Sequence, residues 1–156
     1  MTNSTKKFQD IMYLYGNTGW HDDAHSRGTI TAGNGSYNLV KHGVLGIAKE
    51  TTVNFFGPAY NTQDMADTLY ILKDGKQTTV GLENHADDFV GVVFGGNSAT
   101  FYQRPFGSNA VKEAKKVLFS YPSPHVCYAN VDRACRHDYG SSHRIQIDSI
   151  NSWSKK

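Results

Sequence analysis

The sequence predicts an all-β fold, a Greek-key β-sandwich built from repeated motifs of about 40–46 residues, and three observations carry that expectation. Aromatic residues make up 12% of the chain and glycine occurs fifteen times, a balance that suits strands joined by tight turns. Sliding the sequence by 46 positions places Val44–Leu72 over Val90–Leu118 without a gap, so that Phe55 meets Phe101, Tyr60 meets Phe106 and Ile71 meets Val117. Short segments with period-two alternation, Met12–Tyr15, Thr52–Phe56 and Ala99–Tyr102, each run into a turn-forming stretch rich in glycine or proline. The repeat divides one domain, residues 1–156, into three motif copies, about 11–48, 51–95 and 97–150. Three copies of four strands would also satisfy a β-trefoil, the alternative architecture.

Further elements follow in chain order. Thr29-Ile30-Thr31 and Tyr37-Asn38-Leu39 flank Asn34-Gly35 and predict a hairpin about a two-residue turn. Asp74-Gly75 offers the same turn in the second copy. Asn109 is placed to cap a short helix over Ala110–Leu118, with Val111, Ala114 and Leu118 on one face. Asp64–Leu72 is its counterpart, although Thr68, Tyr70 and Ile71 pull toward strand. Residues 121–142 lack periodicity and read as an irregular insertion, while Arg144–Ile150 alternates again as a last strand with Ile145 and Ile147 on one face.

The second copy runs from the aromatic strand Val53-Asn54-Phe55-Phe56, through the Gly-centred turn Lys73-Asp74-Gly75-Lys76, to the acidic loop and apolar strand Ala86-Asp87-Asp88-Phe89-Val90. That order resembles the Greek-key motif of the βγ-crystallin superfamily over residues 11–106, and Ala32–Leu39 is similar to its third-strand region. The resemblance implies a structural or adhesive role and, as in many microbial members, calcium held by the loops. Two departures bear on the calcium. The paired Ser or Thr positions are Val90-Gly91 or Gly91-Val92 here, and Lys41-His42 replaces the acidic pair in the first copy.

Charge and hydropathy narrow the function classes. A net charge of +2, with basic residues scattered apart from Lys112, Lys115, Lys116 and the Lys155-Lys156 tail, leaves no field to hold nucleic acid. No apolar run approaches the ~20 residues of a membrane span. Met1–Lys7 is polar and lacks the apolar stretch of a secretory leader, which predicts a soluble chain that is cytoplasmic, exported without a leader, or already processed. Cys127 and Cys135 can form one bridge or stand as two thiols, and without a visible leader free thiols are favoured.

Three clusters are candidates for chemistry. Asp87 and Asp88, with Asn84 nearby, supply hard oxygen ligands and are the candidate calcium site. His21-Asp22-Asp23-Ala24-His25 could ligate zinc on a helix, but Gly16, Gly19 and Gly28 flank it and favour a polar surface loop. Cys135-Arg136-His137-Asp138 sets a thiol beside an imidazole and a carboxylate, yet catalytic Cys–His pairs are neighbours in space rather than in sequence. A Gly-x-Ser-x-Gly elbow, a phosphate-binding glycine loop and an HExxH motif are not found. The balance favours a non-enzymatic, βγ-crystallin-like structural, adhesive or calcium-linked binding module. The alternatives are a trefoil-type carbohydrate-binding protein presenting Trp20, Tyr60 and Phe106, and a small secreted toxin or hydrolase using His21, His25 or Cys135. An unpaired third motif would expose Phe101, Phe106 and Ile147, for which a homodimer is the simplest cover.

Overall fold

Phe8 and Met12 stand one helical turn apart and are buried on one face of α1, Asn3–Tyr15, whose N-terminus Thr2 caps by accepting from the Thr5 N–H at 3.2 Å. In the computed structural model, which describes residues 2–117, 120–129 and 132–150, this helix opens an α/β chain. Strands β1 (His21–His25), β2 (Thr52–Phe56) and β3 (Thr79–Glu83) alternate with helices α2 (Arg27–Lys41) and α3 (Thr62–Leu72). A π-turn at Val90–Phe94, two short helices α4 (Ala110–Lys116) and α5 (Arg133–Tyr139), and strand β4 (Ile145–Asp148) complete it.

The sheet has the order β1-β2-β3-β4. β1, β2 and β3 are parallel, with Ala24 opposite Phe55 and Phe55 opposite Leu82, whereas β4 returns antiparallel with Ile145 opposite Leu82 and Ile147 opposite Val80. Parallel neighbours need a crossover, and α2 and α3 supply the two that this sheet requires. Alternate strand residues, Ala24, Val53, Phe55 and Val80, pack with Phe8, Met12, Leu39, Met65, Leu69 and Leu72 into the main core. On the opposite face Phe56 joins Phe101, Cys127, Tyr128, Cys135 and Tyr139 in a second, smaller core.

The all-β expectation is therefore corrected, and with it the Greek-key sandwich, the β-trefoil and the lectin-like reading: among the described residues helix accounts for 41% and strand for 14%. The segments aligned as copies take different conformations. Met12–Tyr15 is helix, Thr52–Phe56 is strand, and Ala99–Tyr102 carries only an isolated bridge from Phe101 to His85. Leu118, which closes both the alignment and the expected α4 face, lies outside the described residues, as do Met1, Lys155 and Lys156.

The expected hairpin about Asn34-Gly35 is instead the middle of α2. Strand-forming Thr29, Ile30 and Tyr37 sit in that helix because its glycines let it pack tightly: a β-carbon at Gly33 would stand 2.5 Å from the Tyr60 ring, and one at Gly35 2.6 Å from the Phe8 ring. Burial against α1 and α3 overrides local propensity here. Asp74-Gly75 likewise ends α3, with Gly75 N–H bonded to Tyr70 O at 3.0 Å, and makes no hairpin. The strand at Thr52–Phe56 forms where the sequence places it, and the final strand forms over Ile145–Asp148. The Asn109-capped helix forms over Ala110–Lys116, but Val111 on its expected apolar face is exposed and Glu113 is the residue it buries. Phe101 is buried, Ile147 packs on the main core and Phe106 is fully exposed. No helix among the described residues is long and apolar enough to cross a membrane.

Candidate active site

β1 ends at His25, and the next residue, Ser26, turns the chain sharply into α2 with φ 51° and ψ −123°. A positive φ strains a non-glycine residue by about 1–3 kcal/mol and persists only where the surroundings over-determine it. Here Ser26 N–H bonds to Phe56 O at 3.2 Å, continuing the β1–β2 ladder. Its carbonyl accepts from Thr29 N–H at 3.1 Å and from Thr29 Oγ1 at 2.6 Å, closing the first turn of α2. The turn lifts the Ser26 hydroxyl above the carboxyl ends of the strands.

Two long-range partners meet it there. Asp88 lies on the loop after β3 and is fully buried, and His125 lies on the loop between α4 and α5 and is 7% exposed. His125 Nε2 is 2.8 Å from Ser26 Oγ, while its Nδ1 is 3.0 and 2.9 Å from the two carboxylate oxygens of Asp88. The carboxylate selects the tautomer with hydrogen on Nδ1, leaving Nε2 as acceptor for the Ser26 O–H. Serine, imidazole and carboxylate thus form one relay across three separate loops.

Asp88 is tightly held. Oδ1 accepts from the N–H groups of Val90 at 2.9 Å and Gly91 at 3.2 Å, and Oδ2 accepts from the Tyr128 hydroxyl. Burial alone would raise the Asp88 pKa, but the hydrogen bonds from His125, Tyr128 and Gly91 outweigh it and hold the carboxyl below its usual range. The same burial, with Asp88 beside it, drives the Tyr128 phenol well above its usual value and keeps it a donor. Tyr128 in turn accepts from the His85 N–H at 3.2 Å. The loop bearing both His125 and Tyr128 is stapled by a Cys127–Cys135 disulfide with an S–S distance of 2.03 Å. The bridge corrects the expectation of free thiols, and it removes Cys135 as a candidate nucleophile.

The chain matches no family model, no curated protein and no solved structure.

Asp87 and Asp88, the candidate calcium ligands, are adjacent but turned to different partners: Arg104 grips both oxygens of Asp87, with Nη2 to Oδ1 at 2.7 Å, while Asp88 faces His125. No group of three or more His, Cys, Asp or Glu among the described residues is arranged to hold a metal ion, and nothing supports the calcium expectation. His21–His25 is strand β1 rather than a loop. His21 and Asp23 pair at 2.9 Å on the solvent face and Asn54 donates to Asp23 at 2.8 Å, whereas His25 turns toward the triad. His137 and Asp138 form an exposed pair at 2.8 Å, away from the buried sulfurs.

Sequence reasoning misses Ser26 and His125. Ala24-His25-Ser26-Arg27-Gly28 has the form of a nucleophile elbow with alanine in place of the first glycine, so a search requiring glycine at both ends passes over it. Alanine is tolerated because its methyl is buried in the main core and Gly28 leaves it room: even a β-carbon added at Gly28 would lie 3.9 Å from it. A strand-then-helix context around small-x-Ser-x-Gly is the signal that could have found it.

Proposed function

We propose that this chain is a serine hydrolase acting by acyl transfer, with Ser26 as nucleophile, His125 as general base and acid, and Asp88 as the carboxylate that orients His125. The single observation carrying this reading is His125 bridging Ser26 Oγ and Asp88 through its two ring nitrogens. His125 Nε2 takes the Ser26 proton as Oγ attacks the ester carbonyl, then returns it to the leaving alcohol. Water cleaves the acyl-enzyme by the same route, regenerating the serine hydroxyl and releasing the acid. The Arg27 N–H, first in α2 and directly after the nucleophile, belongs to a positive helix end, where a donor is suited to the oxyanion.

Chain order supports the same reading: Ser26, Asp88 and His125 follow the order nucleophile, acid, histidine used by α/β-hydrolases. That is an analogy of arrangement, and the site's own geometry carries the assignment. Phe89, Val93 and Phe94 are exposed on the segment that leaves Asp88 and favour an ester with an apolar acyl group.

The test is turnover of p-nitrophenyl acetate and octanoate, with covalent capture by a fluorophosphonate probe. Wild-type protein is expected to hydrolyse both esters and to be labelled at Ser26, and Ser26→Ala to lose at least ~10³-fold in kcat/KM and all labelling. Unchanged turnover in Ser26→Ala would overturn the assignment.

A further inference from the structure

Consecutive residues on the elbow reach the same histidine from two sides. Ser26 Oγ meets the His125 ring at Nε2, and His25 Nε2 lies 2.6 Å from the His125 main-chain carbonyl, an acceptor to which only a ring N–H can donate. The His25 ring also packs on the His125 ring with centroids 4.8 Å apart, and on Tyr128 at 5.9 Å. Asp88 holds the His125 ring, and Tyr128 ties the same loop to the segment after β3. His125 itself sits between α4 and α5 in a connection whose described residues form no helix or strand, where Val126 and Cys127 N–H close a local turn on Ser123 O. Those bonds fix the turn internally but do not set its distance from β1.

We propose that His25 is a positioning residue, whose Nε2–H to His125 carbonyl bond sets the general base at working distance from the nucleophile. The proposal rests on the serine-hydrolase reading. The residue between the small residue and the serine of the elbow thus acquires a specific role, because β1 carries the clamp that registers the base and leads directly into the nucleophile. Displacing a catalytic group by about 1 Å costs on the order of 100-fold, so one hydrogen bond here has leverage far beyond its own strength. Either ring state of His25 can donate from Nε2, so the clamp does not require His25 to titrate.

The test uses His25→Phe, which keeps an aromatic ring and removes the donor, and His25→Gln, whose amide nitrogen can replace Nε2. Three readouts are taken on the intact chain: the rate of Ser26 labelling by a fluorophosphonate, its pH profile, and the downfield NMR signal of the His125 Nδ1 proton bonded to Asp88. Expected are an about 10- to 100-fold slower labelling in His25→Phe, a shifted pH profile, and a weakened or lost Nδ1 signal, with melting temperature little changed. His25→Gln is expected to recover labelling to within about threefold of wild type. Wild-type-like labelling and Nδ1 signal in His25→Phe would overturn the proposal, as would equal loss in His25→Gln. A wild-type chain that is not labelled at all would instead sink the hydrolase reading. The Nδ1 signal would still report whether His25 positions His125.

Discussion

Gly57 lies against Asp88 so closely that a β-carbon at position 57 would stand 2.5 Å from Asp88 Oδ2 and 2.6 Å from the Tyr128 ring. The residue has φ +48° and its N–H bonds to Glu83 O at 2.9 Å, so the backbone cannot retreat without releasing β3. Gly57→Ala must therefore displace the triad carboxylate as well as strain its own backbone. We expect a stability loss of about 1–3 kcal/mol and a fall in kcat of at least tenfold with KM less affected. Urea melts and ester kinetics check both numbers.

Tyr128→Phe removes one donor from Asp88 and the acceptor of the His85 N–H, and leaves the ring packing intact. A hydrogen bond to a charged group contributes about 1.5–3 kcal/mol, and that is the expected destabilisation at neutral pH. The sign with pH follows from the depressed Asp88 pKa. Its stabilising contribution is present above the unfolded carboxyl pKa and is lost as pH falls through the lower folded value. Losing the phenol moves the folded value up, so Tyr128→Phe should lose stability at a higher pH than wild type does during acid titration. Identical acid transitions would show that the hydroxyl is idle.

The Cys127–Cys135 bridge joins residues eight apart and begins two residues after His125, so it constrains the loop that carries both His125 and Tyr128. Closing so short a loop contributes about 2–3 kcal/mol. The double Cys→Ser variant is expected to be less stable by that amount and to label at Ser26 more slowly than its folded fraction accounts for. Labelling that tracks the folded fraction alone would mean that the His25 bond and local turn suffice to hold His125.

How much of this is legible in the sequence depends on the kind of signal. Thr52–Phe56 and Arg144–Ile150 alternate cleanly, and each contributes a strand that buries one face against the main core. α2 is unreadable by propensity, since Thr29, Ile30, Gly33 and Gly35 look like a hairpin and become helix only when Tyr60 and Phe8 fill the space above the glycines. Asp88 stands out by its acidity but suggests the wrong chemistry, because its partners are 37 and 40 residues away at His125 and Tyr128. Residues 121–142, which read as an irregular insertion, hold Cys127, Tyr128, Cys135 and Tyr139 in a second core whose contacts have no local periodicity.

Asp22 faces the apolar side of edge strand β1, and its Oδ2 is buried without a hydrogen-bond partner among the described residues. Burial, with Asp23 adding to it, pushes its pKa up from 3.8 to about 6. Between those values the folded chain holds a proton that the unfolded chain has released, so Asp22 subtracts stability progressively as pH rises from about 4 to about 6. The full shift corresponds to about 3 kcal/mol, and relaxation at a sheet edge reduces it, so Asp22→Asn should gain on the order of 1–3 kcal/mol at neutral pH. The advantage over wild type should shrink toward zero near pH 4, which paired urea melts across that window would show directly. An inward charge on an edge strand also discourages pairing with another chain, because the incoming strand would have to bury it further. Asp22→Val should therefore be more stable than wild type yet self-associate at concentrations where wild type does not, a difference that light scattering resolves. A Val variant that is stabilised and remains as dispersed as wild type would leave the buried carboxylate without that role.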